Sequence, residues 1–454
     1  MIQNNFNVLE AKPAAQFFSF SIPAILGMLL TSGIVIIDGL FIGNIVGEAG
    51  LASVNLTLPV LYLFLGTAIM IGVGGSVKAG HSLGSGRQDQ ASRHFSLAIA
   101  LSIITISTLT LLCVLFIEPL VETINTKQAL HPYVRTYLGT ILWFYPAMMI
   151  NIVFSIFMRA QGKPGLSLFF GVAGNALNVV LDYFMIARWG MGLYGAALAT
   201  GISVMVPMAC GILYFLSKYS VLNFVPFSWK LPDIGQTIFN GSSEMIGQLS
   251  VGFTTWMFNR VILSRMGVDG LAAYTIIGYI TFVQIMIITG FAIGLGPIVG
   301  YSYGAGKTDH IRRIMKTAMM SSFFTGLVCW AIVLVSSTAI AASFSPGNEN
   351  IIAISKSGFN LFSVAFLLNG FNMMITAFFT SIGSAKRSLI IASLRGLLLI
   401  NLFVLILPSF MGDSGIWLSY PLAELVTLCF SIVFLKQSSP CYDHGAVLSS
   451  QQGK

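Results

Sequence analysis

The sequence predicts an all-α polytopic membrane protein, with twelve transmembrane helices in two pseudo-symmetric six-helix lobes. Three observations carry that prediction. Of 454 residues, 56% are hydrophobic and 8% charged, whereas a soluble domain carries about 25% charged residues. Apolar stretches long enough to cross a hydrocarbon layer, which takes about 20 helical residues, recur twelve times. The two halves also superpose at a constant shift of 220: Gly47, Gly50 and Leu51 fall on Gly267, Gly270 and Leu271, and Gly192 and Gly195 fall on Gly412 and Gly415. Barrel strands would instead read as about ten residues of alternating polarity.

The expected order is a cytoplasmic N-terminus at 1–15, an N-lobe at 16–217, a linker at 218–235, a C-lobe at 236–436 and a polar, disordered tail at 437–454. Spans lie near 16–42, 51–78, 94–118, 133–159, 166–188 and 192–216. Their partners lie near 236–265, 271–302, 314–344, 353–381, 388–410 and 414–436. Six spans per half is an even number, so both halves enter the membrane in the same direction. Their symmetry axis then runs along the membrane normal, and repeat proteins of that kind bind substrate where the repeats meet.

The first span contains Pro23 and Gly27. Proline removes an interior hydrogen bond, so a bend in the helix is expected at Pro23. Farther along stands Asp38, where the second half has Phe258. A carboxylate at depth costs roughly 2.5–3.5 kcal/mol on insertion scales, so it must face a cavity, find a partner or take up a proton. The fourth span supplies Tyr137, the fifth Asn178 and Asp182, and the sixth Thr200. Asn178 and Asp182 are four apart and share one helical face. At about 1.5 Å per residue from each span's midpoint, Asp38 lies roughly 10 Å outward, Asp182 about 8, Thr200 about 6 and Tyr137 about 13. Asn178 lies nearer the middle. Two carboxylates with neutral oxygens suit one sodium ion, held by Asp38, Asn178, Asp182 and Thr200, or shared protons. The plain alternative is a set of unrelated polar residues filling helix contacts.

The linker contains Pro226, Trp229 and Pro232, which predicts a surface-lying connector. In the second half the ionisable residues are Glu244, Arg395 and Glu424, a possible polar network. Pairing of Arg395 with Glu424 is the simplest expectation, with Glu244 facing the inner end of a cavity. The loop Gly300 to Thr308 resembles a phosphate-binding loop, but Tyr301 stands where that motif needs its first glycine, so nucleotide is not expected. Its twin, Gly84-Ser-Gly-Arg87, marks it as a repeated basic loop that caps a helix.

The net charge of +8 reports topology. Thirteen Lys and Arg fall in loops on the side of the N-terminus and five on the other, which places both termini in the cytoplasm. No cleavable signal is apparent, because the first apolar run is too long for one. The five cysteines and five histidines show no disulfide or metal-ligand spacing. No nucleophile–base pair stands within the spans, so an enzyme is not expected.

The ordered series Asp38-Gly-Leu-Phe-Ile-Gly43, Gly84-Ser-Gly-Arg87, Arg159-Ala-Gln-Gly-Lys-Pro164, Asn175 to Asp182 and Gly195-Ala-Ala-Leu-Ala-Thr200 resembles the multidrug and toxic compound extrusion (MATE) transporters. Asp413-Ser-Gly-Ile-Trp417 and Pro421-Leu-Ala-Glu424 are similar to the MepA-like branch. The resemblance implies a MATE fold in a cell inner membrane that exports amphipathic, often cationic compounds in exchange for H+ or Na+. By motif, Asp38, Asn178, Asp182 and Thr200 match the family's N-lobe ion site, with Tyr137 beside it. Glu244 falls about eight residues before the glutamate that some members use, so a C-lobe sodium site is not transferred. Expected partners are amphipathic small molecules and the lipid bilayer, with no nucleic acid, no cofactor beyond the coupling ion, and a monomeric state. A flippase for lipid-linked oligosaccharides or lipid II is the rival reading, disfavoured because its anionic head groups would meet mostly acidic side chains. A major-facilitator transporter is a second rival, but Gly80 to Arg87 lacks that superfamily's loop acid.

Overall fold

Helix makes up all the regular structure among the described residues, which are 12–124 and 128–450 of a computed structural model. Residues 1–11, 125–127 and 451–454 lie outside them, and so does the side chain of Cys441. In chain order the first half builds α1 (Pro13–Ile45), α2 (Glu48–Gly84), α3 (Gln88–Leu115), α4 (Ile117–Ile124), α5 (His131–Ile141), α6 (Tyr145–Ala160), α7 (Pro164–Asp182) and α8 (Gly192–Leu216). The second half builds α9 (Leu231–Gly304), α10 (Thr308–Phe344), α11 (Glu349–Phe362), α12 (Phe366–Ser381), α13 (Ala385–Ser393), α14 (Leu399–Met411) and α15 (Asp413–Ser450). A 3-10 turn joins α5 to α6 at Leu142–Phe144, and its counterpart joins α11 to α12 at Ser363–Ala365. A π-helical turn extends α7 over Tyr183–Arg188, and another joins α13 to α14 over Leu394–Leu398.

Eleven helical stretches among the described residues are long and apolar enough to span a membrane. One of them, α9, has 74 residues and would be roughly 110 Å long if straight. It is two spans meeting at Gly267, whose φ of 65° and ψ of −155° are not helical. The twin position, Gly47, has φ 93° and ends α1 in the same way. Counting α9 twice, the protein has the twelve crossings that the repeat implies.

The glycine-rich loops are helix caps. After α2, Arg87 N–H donates to the Ser82 carbonyl at 2.8 Å and Gly86 N–H to Leu83 at 3.0 Å. After α9, Lys307 donates to Ser302 at 2.9 Å and Gly306 to Tyr303 at 3.1 Å. This is the paired closure of a helix C-terminus, with glycine in the left-handed position.

The chain gathers into two compact units. One is Leu26–Met245. The other takes the described residues of Met1–Ile25 and Ile246–Lys454. The expected boundary at the linker is therefore crossed twice: the beginning of α1 packs with the second half, and the beginning of α9 with the first. Backbone contact explains both. A Cβ on Gly294 would stand 2.7 Å from Ser21 Cα, and one on Gly290 2.8 Å from Ile25 Cα. Reciprocally, a Cβ on Gly74 would stand 2.8 Å from the Thr237 carbonyl carbon, and one on Gly241 2.8 Å from Met70 Cα. Gly74→Ala and Gly294→Ala are expected to lower the melting temperature in detergent, since overpacking costs about 1–3 kcal/mol or more. Gly278→Ala, with open space around its Cβ, is the control. Equal melting of all three would contradict this packing.

Pro23 and Gly27 lie inside α1, which is helical from Pro13 to Ile45. Two details differ from the sequence reading. The helix α15 continues to Ser450, into the stretch expected to be a disordered tail. The linker is shorter than expected, because α9 begins at Leu231. It is also tied down: Val225 N–H donates to Ser96 Oγ at 2.9 Å, Gln88 Nε2 donates to the Val221 carbonyl at 2.8 Å, and Gln161 Oε1 accepts from Val221 N–H at 2.9 Å.

Candidate functional site

Within the unit Leu26–Met245, α1 and α7 are the first and fifth crossings and therefore run in the same direction. Their register is fixed at two levels. Gly27 faces Leu168, and farther along, four residues on in α1 and seven in α7, Asn175 Nδ2 donates to Thr31 Oγ1 at 3.2 Å. Seven residues beyond Thr31 is Asp38, and seven beyond Asn175 is Asp182. Seven residues is almost two full turns, so the same faces meet again roughly 10 Å farther along, with the two acids level. Asp182 lies within electrostatic reach of Asp38, and the Tyr137 phenol of α5 within reach of both.

Thr200 reaches the same level from α8, which runs antiparallel to α7. A Cβ on Gly174 would lie 2.9 Å from Pro207 Cγ, and one on Gly195 3.0 Å from the Met185 carbonyl oxygen. Stepping between those fixed points sets Thr200 beside Asp182 and Asn178 one turn away. Gly201, next to Thr200, lies against the Phe144 ring, and Tyr137 stands two turns before Phe144 on the same crossing. The structure thus sets Asp38, Asp182 and Tyr137 within electrostatic reach of one another, with Asn178 one turn before Asp182 and Thr200 near the level of Asp182 on the neighbouring α8. The sequence reading passed over Thr31 and Asn175, the pair that sets the register. Asn175 lies one turn from Asn178 on the same face, and that spacing was its available signal.

The pocket is buried and unsatisfied. Asp182 is 0% exposed, and Asn178 and Tyr137 are buried. Neither Asp182 Oδ1 nor Oδ2 has a protein hydrogen-bond partner, and Asp38 Oδ1 and Asn178 Nδ2 also lack one among the described residues. Buried polar atoms are nearly always paired, and unpaired ionised oxygens are the costliest exception. Two carboxylates, an amide oxygen and two hydroxyls form an all-oxygen donor set suited to a hard cation or to protons.

The unit containing Ile246–Lys454 shows the opposite arrangement. Glu424 is equally buried, at 0% exposed, yet it is fully partnered. Arg395 donates to Glu424 Oε1 through Nη2 at 2.9 Å and Nε at 3.2 Å. Asn372 Nδ2 donates to Oε2 at 2.7 Å, and Ser431 Oγ donates to Asn372 Oδ1 at 2.9 Å. Asn369 donates to Gln284 at 2.9 Å and to the Tyr420 hydroxyl at 3.2 Å. Arg395 sits on the π-helical turn Leu394–Leu398. Of the expected network, Arg395 and Glu424 come together, whereas Glu244 belongs to the unit Leu26–Met245. Gln284, Asn369 and Asn372 were missed because neutral amides carry no charge to mark them in an apolar run.

Among the described residues, no three His, Cys, Asp or Glu side chains gather as a metal site. Comparison with known proteins agrees with the architecture. The chain is 26% identical over 411 residues to the multidrug export protein MepA of Staphylococcus haemolyticus, covering 90% of each chain. It is 25% identical over 415 residues to MepA of Staphylococcus saprophyticus, again with 90% of each covered. A solved outward-facing multidrug resistance MATE family transporter shares the fold, with a TM-score of 0.90 and 23% identity over 97% of this chain and 99% of that one. The MatE family model matches residues 23–184 and 245–407, one match in each half of the repeat. The chain belongs to the MatE family.

Proposed function

We propose that the protein is a secondary active multidrug efflux antiporter, exporting amphipathic and often cationic compounds in exchange for H+ or Na+ by alternating access. The observation that carries this reading is the Asp38–Asp182 pocket, where buried carboxylate oxygens lack protein partners. A pair so placed is stable when it holds a cation or a proton and costly when it holds neither. Binding of the ion and binding of a cationic compound therefore oppose each other. In the outward-open state the acids take up the coupling ion as the compound leaves. In the inward-open state they return the ion and reload. The thirteen-to-five distribution of basic residues supports an inner-membrane location with both termini in the cytoplasm. The export of drugs by the MepA relatives supports the substrate class.

Dye efflux from cells or inverted vesicles, with the proton and sodium gradients collapsed separately, tests the coupling. Efflux is expected to stop when one of the two gradients is removed. Efflux that continues with both collapsed would rule out antiport.

A further inference from the structure

One exposed helix face of the second half is built differently from its twin. In the first half, Ser92 and Ser96 of α3 are covered by the linker, whose Asn223 and Val225 N–H groups donate to them at 3.3 and 2.9 Å. At the shift of 220 these serines become Arg312 and Lys316 of α10. There the face is open among the described residues, forming a groove of about 450 Å³. Its lining runs down α10 as Arg312, Met315, Lys316, Met319, Met320 and Phe323, with Phe371 of α12 and Leu435 of α15 alongside. The α10 residues follow i, i+3, i+4, i+7, i+8 and i+11, so they form one continuous stripe.

That stripe is ordered by chemistry. Its cations lie at the end nearest the basic loop Gly304–Lys307, and below them come methionines and then aromatics. Phe323 packs on Phe371 with ring centroids 5.9 Å apart. From Arg312 to Phe323 is roughly 16 Å of helix, about half of the 30 Å hydrocarbon layer. Flexible thioethers suit a mobile hydrocarbon chain. Asp309 lies 3.8 Å from Arg312, and both are largely exposed. Lys316 is exposed as well.

We infer that this groove binds an anionic phospholipid, with the phosphate on Arg312 and Lys316 and an acyl chain along Met319, Met320 and Phe323. Basic clusters beside apolar grooves at the inner membrane surface select anionic lipids. The inference rests on the proposed orientation only for which leaflet supplies the lipid.

Native mass spectrometry of the full chain, titrated with dioleoyl phosphatidylglycerol or with phosphatidylcholine of the same chains, tests it. The native protein is expected to retain one phosphatidylglycerol with a preference of roughly tenfold or more, since each basic residue near the surface contributes measurably. The double variant R312Q/K316Q should lose the preference, and K316R should keep it. Met319→Trp, which fills the groove, should lose the bound lipid of either kind, while Lys356→Gln at the far end of the spans should change nothing. Equal retention of both lipids by the native protein, an undiminished preference in R312Q/K316Q, or displacement of the lipid by tetraphenylphosphonium would overturn the assignment. Lipid retention is read apart from efflux, so its failure leaves the coupling reading untouched.

Discussion

Asp182→Asn is expected to abolish gradient-driven efflux, to the level of membranes lacking the protein, while the amount of folded protein is unchanged. Asparagine keeps the shape and can neither ionise nor carry a transferable proton. The side chain is fully buried with both oxygens unpaired, so the native acid confers little stability that the amide would forfeit. The variant is expected to melt at or above the native temperature. Asp38→Asn should have the same effect on efflux. The double variant should be no worse than either single one, because two groups that share one visitor act as a unit. Thr200→Val, which removes a neutral ligand, should weaken the coupling and leave residual efflux. Efflux rates in vesicles, normalised to purified protein, check all four. Near-native efflux in either single acid variant would remove that residue from the mechanism.

The second large effect is on folding and concerns the other buried acid. Glu424→Ala strands Arg395, and removing one partner of a buried pair costs about 3–5 kcal/mol. Asn372 loses its bond to Oε2 but keeps the one it donates to the Glu424 carbonyl at 2.8 Å. Replacing both charges, as R395M/E424L, is expected to restore most of the lost stability, because well-packed apolar residues often replace a buried ion pair without penalty. If the pair is purely architectural, the double variant also exports normally. Thermal unfolding in detergent separates these cases: a double variant that melts as low as Glu424→Ala would contradict the account of the pair. Normal melting with lost efflux would instead give the pair a part in transport.

The two acids, alike in burial and opposite in partners, also show what a sequence can disclose. Asp38, Asp182 and Glu424 stand out because a charge inside an apolar run is rare. Gly47 and Gly267 show the repeat because each ends a helix with positive φ, which other residues adopt poorly. Whether a buried acid is partnered was not legible, since Asn372, Asn369 and Gln284 look like ordinary span residues until three helices converge. Nor was the exchange of helix beginnings. It depends on Gly74 and Gly294 lying close against another helix's backbone, and a lone glycine does not disclose what it faces. The short helix α4 was not foreseen. Its Glu118 meets Arg135 and lies 3.5 Å from His131, contacts that join α4 to the next helix, α5.

The most direct test is ion release on binding. Tetraphenylphosphonium, an amphipathic cation, is added to the purified protein in weakly buffered detergent solution, and proton release and loss of bound radioactive sodium are followed together. If the acidic pocket of the leading bundle trades its ion for cargo, wild type discharges a proton or a sodium ion as the compound binds, and Asp182→Asn binds with no discharge. Binding by wild type that expels neither ion, or an identical discharge from the variant, would contradict it.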